Sequence, residues 1–198
     1  MLRYITEQCL EYFYPLYINF VDFKKAFDSV HSESLWEILS LYGVPATFVK
    51  VLKSLCHNSS CCVKTTLANT RLLEVTTGVR QGCVLSPLLF IIALDYVLRR
   101  TTAEVQGGIC WSSGRLMDLD FTDDIAVFAG DNDTLQRSTE RLRQEANNIG
   151  LRISPEKSKV MHTGNTTSGE GIYVGPDRLE VVDNFTYLGS MITCQRRC

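Results

Sequence analysis

An α+β fold is predicted by three features of the chain: a short β-prone run near its start, later strand pairs closed by turn residues, and helically spaced segments interleaved between them. The elements run strand, helices, hairpin, helix, hairpin, helix, strands, an order that suits an antiparallel sheet with helices packed on one face. With 198 residues, 45% hydrophobic and 21% charged, the chain has the size of one domain and enough apolar matter to bury a core, which excludes a disordered tail.

Tyr17 to Phe23 (YINFVDF) reads as a strand buried on both faces, with Asp22 as its one charge. Ser34-Leu-Trp-Glu37 matches a capping box, Leu35, Ile38, Leu39 and Tyr42 keep helical spacing, and Gly43 with Pro45 ends that helix. Pro45 suits the first turn of a second helix through Phe48, Val51, Leu52 and Leu55. Cys61 to Leu67 and Arg71 to Thr76 are the expected arms of a hairpin turned at Ala68-Asn69-Thr70. Gly78 and Gly82 mark a loop, after which Pro87 opens the helix LLFIIALDYVLRR. A brief strand lies between Gly108 and Ser112, followed by the pair Leu116–Phe121 and Ile125–Ala129 around Thr122, Asp123 and Asp124. Asn132 is the expected N-cap of a helix carrying Leu135, Leu142, Ala146 and Ile149 inward, with Gly150 closing it. Its charged face, Arg137, Glu140, Arg141, Arg143 and Glu145, is expected to be solvated. From Leu151 the chain reads as short strands separated by a polar loop at 165–171.

Lys plus Arg number 20 and Asp plus Glu 22, so the formal charge of −2 gives no whole-chain attraction for a polyanion, and any nucleic-acid surface must be local. The eight cysteines form no CxxC pair and are too sparse for a small secreted disulfide scaffold, so reduced thiols inside a cell are expected. The start, MLRYITEQCLEYFYPLY, carries Glu7 and Glu11 and has neither the basic end nor the unbroken apolar core of a signal peptide. Val84 to Leu98 contains Ser86, Pro87 and Asp95 and is too short for a bilayer span. The expectation is a protein without membrane partners, placed in the cytoplasm, the nucleus or both.

Two acidic sites interrupt apolar strands: Asp22 at a strand end and Asp123-Asp124 at a hairpin tip. Ionised carboxylates beside a core are costly unless exposed, paired or bound to a cation. Each site also has a plain structural explanation, since Asp-Asp is a good turn pair and a lone Asp often caps or turns a chain. If the strand ending at Asp22 lies beside the 116–129 hairpin, three hard oxygen ligands converge at one edge, a set suited to Mg²⁺ in two-ion phosphoryl transfer.

The ordered segments VDFKKAFDSV, TGVRQGCVLSPLLFIIALD, LDFTDDIAVFA, GLRISPEKSKVM and FTYLGS resemble the reverse transcriptase domain of non-LTR, LINE-like retrotransposons. The resemblance implies a polymerase palm over 17–192, with 1–16 a remnant of the fingers side and 193–198 a truncated tail. It implies RNA-directed DNA polymerase activity: two Mg²⁺ ions, or Mn²⁺ in their place, with an RNA or DNA template, a DNA primer and a deoxynucleoside triphosphate as partners. Fingers and thumb would be supplied by the same longer polypeptide. Asp22, Asp123 and Asp124 are then the metal carboxylates, with the Phe23 carbonyl as a further ligand. Phe27 corresponds to the bulky residue beneath the incoming sugar, where a ring clashes with a ribose 2′-hydroxyl. Its plain alternative is core packing. Arg80, Gln81 and Gly82 correspond to the loop that contacts nucleotide and template. Lys157 corresponds to a lysine near the leaving pyrophosphate, where an ammonium offsets charge or donates a proton. Phe185 to Gly189 resembles the hairpin that grips the primer. Thr122 stands where the family commonly has Ala, a change expected to be tolerated because Thr is small and β-prone, and Ser154 where it often has Asn. Two other readings stand beside this one: a catalytically inactive retrotransposon-derived fragment that at most binds nucleic acid, and an unrelated α+β metal-dependent phosphohydrolase.

Overall fold

The β-prone run near the start becomes the central strand of a five-stranded sheet. In the computed structural model, which describes residues 1–56, 60–61, 73–74, 77–79, 83–105, 107–111, 114–163 and 171–194, the order along the chain is α1 (Leu2–Glu11), β1 (Leu16–Val21), α2 (Ala26–Ser29), α3 (Ser32–Leu41), α4 (Ala46–Cys56), β2 (Ser60–Cys61), β3 (Leu73–Glu74), α5 (Ser86–Glu104), β4 (Ile109–Trp111), β5 (Gly114–Leu116), β6 (Asp118–Phe121), β7 (Asp124–Ala129), α6 (Asn132–Asn148), β8 (Lys159–Thr163), β9 (Tyr173–Val174), β10 (Asp177–Arg178), β11 (Glu180–Val181), β12 (Asn184–Tyr187) and β13 (Ser190–Thr193). The main sheet runs β11-β8-β1-β7-β6. β1 is antiparallel to both β7 and β8, β6 is antiparallel to β7, and β11 lies parallel to β8 at one edge.

Alternation along β1 divides the core in two. Val21 joins Ile125, Val127 and Ala129 of β7 on the face covered by α3, α5 and α6, where Phe90, Leu94, Leu135, Leu142 and Ala146 are buried. Asn19 lies on that same side at full burial and donates from Nδ2 to Thr139 Oγ1 of α6 at 2.9 Å. Leu16, Ile18 and Phe20 face the other way and meet Ala126, Phe128 and Met161 beneath α1, through Leu2, Ile5 and Cys9, and beneath the β12–β13 hairpin, through Tyr187 and Ile192. Helices α3, α5 and α6 therefore share one face, and α1, which the sequence reading did not place, closes the second with that hairpin.

Several local expectations are refined. α3 begins at Ser32 behind His31, with no side-chain cap bond, so Ser34-Leu-Trp-Glu37 lies inside the first turns and is not the capping box. The cap of α6 is Asp131, not Asn132: Asp131 has extended backbone and its Oδ1 accepts the Thr134 amide at 2.8 Å. Glu145, expected in solvent, is 3% exposed, because it bridges α5 and α6 by accepting from Arg100 Nε at 2.7 Å and pairing with Arg141 at 2.5 Å. Gly150 does close α6, at φ +89°, and a Cβ there would stand 2.4 Å from the Ser29 carbonyl. This close approach lets the His31 amide donate to the Ile149 carbonyl at 2.8 Å, tying the end of α6 to the α2–α3 junction. The hairpin expected at 61–76 pairs Ser60 with Glu74 and Cys61 with Leu73, while its turn residues lie outside the described residues. Among the described residues no helix is long and apolar enough to cross a membrane, and Cys9, Cys110 and Cys194 are free thiols.

Candidate active site

Strand pairing builds the site. Val21 pairs with Ile125, so Asp22 and Asp124 follow at neighbouring strand ends, and Asp123 stands in the turn between β6 and β7. The adjacency on which convergence of the three carboxylates depended is thus present. That turn has two residues, with Thr122 at φ +61° as the first. A positive φ there matches the right-handed twist of the flanking strands, but it is a strained setting for a β-branched residue. The expectation that Thr122 is tolerated for its β propensity therefore does not apply, because the position is left-handed.

The end of β1 is held by the segment leading into β8. The Ser154 amide donates to the Asp22 carbonyl at 2.8 Å and the Lys24 amide to the Arg152 carbonyl at 2.8 Å, a bridge centred on Phe23 and Ile153. Those two bonds leave the Phe23 carbonyl out, and the Phe23 side chain is buried. The Asp22 amide donates to Ser158 Oγ at 3.1 Å. The turn at 155–157 then brings Lys157 Nζ to 3.6 Å from Asp22 Oδ1.

The three carboxylates feel one another. Burial, and then the charges of Asp123 and Asp22, push the Asp124 carboxyl above its ordinary range. Asp22 Oδ1 is buried with no hydrogen-bond partner among the described residues. The donors are all oxygen, the kind a hard divalent cation takes, and Asp22 Oδ1 faces the Lys157 ammonium at 3.6 Å. In this conformation no group of three or more His, Cys, Asp or Glu among the described residues closes to a metal-holding cluster.

Phe27 is half-buried, and its ring stacks on Phe90 of α5 at 4.6 Å and 24°. Its carbonyl accepts the Val79 amide at 2.7 Å, and the Gly78 amide donates to the Val30 carbonyl at 2.8 Å. The segment 77–79 is thereby laid against α2. Arg80, Gln81 and Gly82 lie outside the described residues.

Two residues that support the site were not singled out within the motifs that contain them. Ser158 supplies the bond to the Asp22 amide although it reads as one more polar residue of SPEKSK. Tyr187, 7% exposed, donates from its hydroxyl to the carbonyls of Leu119 at 3.1 Å and Asp124 at 3.2 Å. Burial, then Asp124, Asp120 and Asp118, push that phenol up to about 12, so it stays a donor at neutral pH. Asp118, on the edge strand, is pushed up to about 6 by burial and then by the charges of Asp120 and Asp95.

An antiparallel sheet backed by helices, with carboxylates pooled at a strand end and the adjoining hairpin tip, defines the palm of a nucleic-acid polymerase. The match to known proteins narrows that class. The family model described as "Reverse transcriptase (RNA-dependent DNA polymerase)" matches residues 14–192, and the chain belongs to that family. It is 33% identical over 146 residues to the Pol polyprotein of retrotransposable element R2 from Nasonia vitripennis, covering 74% of this chain and 14% of that protein. It is 25% identical over 197 residues to the R2DM Pol polyprotein of Drosophila melanogaster, covering 94% and 18%. The chain thus spans less than a fifth of the length of either relative. Among solved structures, apo telomerase from Candida tropicalis truncated from its C-terminal domain superposes with a TM-score of 0.65 at 17% identity, over 98% of this chain and 39% of that one. Telomerase from Candida albicans in complex with a fragment of telomeric RNA does so with 0.62 at 14% identity, over 96% and 31%. At such identities the likeness speaks for the fold.

Proposed function

We propose that this chain is the catalytic palm of a retrotransposon-type RNA-directed DNA polymerase, acting inside the cell in the cytoplasm or nucleus. The observation that carries the reading is the β1–β7 pairing that sets Asp22 beside Asp123 and Asp124. The substrates are a deoxynucleoside triphosphate and the 3′-hydroxyl of a DNA primer on an RNA or DNA template. The primer oxygen bonds to the α-phosphorus, the bond from that phosphorus to pyrophosphate breaks, and the hydroxyl proton passes to solvent. Asp22, Asp123 and Asp124, with the Phe23 carbonyl, would hold two Mg²⁺ ions, or Mn²⁺ in their place. When bound, the ions stabilise charge on the attacking and leaving oxygens.

Lys157, held near Asp22 at 3.6 Å, offsets charge on the departing pyrophosphate and can give it a proton. Phe27 sits under the incoming sugar and excludes a 2′-hydroxyl. Arg80, Gln81 and Gly82 contact nucleotide and template, and the β12–β13 hairpin seats the primer. The rest of a longer polypeptide supplies fingers and thumb.

Mg²⁺-dependent primer extension on an RNA template tests this reading, with the chain alone and with fingers and thumb segments supplied. Wild type should extend, and Asp22→Asn and Asp123→Asn should each lower the rate by at least about a hundredfold, as expected when electrostatic stabilisation at the reacting centre is lost. Extension that survives both substitutions removes the metal assignment. No extension in either format favours the inactive-fragment reading.

A further inference from the structure

The hairpin β12–β13 touches both acid-bearing strands from one side of the sheet. Phe185 and Tyr187 are two apart on β12, so they project from the same face. The Phe185 ring stacks on Phe20 at 4.2 Å and 19°, and the Tyr187 ring tilts against the same Phe20 at 5.8 Å and 42°. Phe20 lies on β1, two residues before Asp22. The Tyr187 hydroxyl reaches past Phe20 to the carbonyls of Leu119 on β6 and Asp124 on β7, at 3.1 and 3.2 Å. One hydroxyl proton serves two carbonyls on adjacent strands, so the contact spans the mouth of the hairpin that carries Asp123 and Asp124.

We propose that Phe185 and Tyr187 form a clamp that fixes the separation of β1 from the β6–β7 tip, making them positioning residues for the carboxylates that hold the metal ions. The inference rests on the metal reading proposed above and adds a second task to a hairpin otherwise assigned to the primer. Its physical basis is the cost of gathering like charges. Strand register sets Asp22 opposite Asp124, with Asp123 beside it in the turn, so like charges are gathered before a cation arrives, and contacts at Phe20 and at the Asp124 carbonyl hold their strands against that repulsion. Groups that orient ligands from behind commonly tune metal affinity, and loss of one costs roughly tenfold to a hundredfold.

The test uses Mn²⁺ as the probe, with its binding to the chain followed by electron paramagnetic resonance and hydrogen exchange read at individual amides. Tyr187→Phe keeps the ring and removes the hydroxyl. It is expected to weaken Mn²⁺ binding about tenfold and to speed exchange at Asp124 and Ile125, while the Asn19 and Val127 amides in the β1–β7 ladder stay protected. Phe185→Leu, which keeps an apolar side chain and loses the stack, should weaken Mn²⁺ binding in the same direction. Equal Mn²⁺ affinity and exchange in wild type and Tyr187→Phe, with binding lost in Asp22→Asn, overturns the clamp and leaves the metal reading intact. Loss of protection across the whole sheet in Tyr187→Phe also overturns it, since the role is then one of general stability. If wild type binds no Mn²⁺, or Asp22→Asn binds it equally well, the metal reading fails and the clamp falls with it.

Discussion

Phe27 stacks on Phe90, which is fully buried on α5, so one side of its ring is fixed by the core while the residue stays half-exposed. Packing and a gating role are therefore compatible, because a ring pinned from behind is a rigid obstacle in front. Phe27→Ala removes the obstacle, and ribonucleotide incorporation relative to deoxynucleotide is expected to rise about tenfold or more in single-nucleotide extension with competing substrates. An unchanged ratio would show that Phe27 packs without gating. Thr122 marks what residue identity does not convey. Its type suggests a comfortable strand residue, yet the turn places it at φ +61°, a setting that costs on the order of 1 kcal/mol and more for a non-glycine residue. Asp22 illustrates the converse, since a lone charge in YINFVDF was legible as an anomaly in the sequence and proves to own a buried oxygen that makes no hydrogen bond among the described residues and faces the Lys157 ammonium.

At the scale of elements, the helices after β1 were readable, their ends less so, and α1 (Leu2–Glu11) was not foreseen. Leu135, Leu142 and Ala146 announce α6, and all three are fully buried. Its cap moved by one residue because Asp131 and Asn132 are equally good capping types and only the backbone decides which is extended. Asp131 accepts both the Thr134 amide and, at 2.9 Å, the Thr134 hydroxyl. Asp131→Ala should lower stability by about 1 kcal/mol in urea denaturation, and Asn132→Ala should cost clearly less. Equal losses would return the cap to Asn132. Glu145 was misplaced for a related reason: charge patterning marks a polar face, but it cannot show that α5 brings Arg100 and Glu104 against that face to receive Glu145 and Arg141.

Across the whole molecule, the two sides of the sheet are closed by different parts of the chain. One side takes α3, α5 and α6, and the other takes α1 from the start and β12–β13 from the end. Ile5 of α1 is fully buried in the second cluster, so the segment before β1 contributes to the core that carries the site. Ile5→Ala is expected to cost about 2–5 kcal/mol in equilibrium unfolding, the range for deleting a large buried aliphatic side chain. A loss well under 1 kcal/mol would mean that α1 is dispensable to the sheet.

The sequence by itself determined the α+β class, the order of most elements from β1 onward, the acidic interruptions at Asp22 and Asp123-Asp124 and, through its ordered motifs, the reverse transcriptase family, because period, turn chemistry and motif order are local properties of the chain. Tertiary structure decided what depends on partners far apart in sequence. Pairing of β1 with β7 brought Asp22 beside the Asp123-Asp124 tip, and the bridge at Phe23 and Ile153 carried Lys157 to Asp22. Folding of β12 over Phe20 placed the Tyr187 hydroxyl on the Asp124 carbonyl. Strand order and register are set by the burial of two opposite faces at once, a condition on the whole sheet that no single segment expresses.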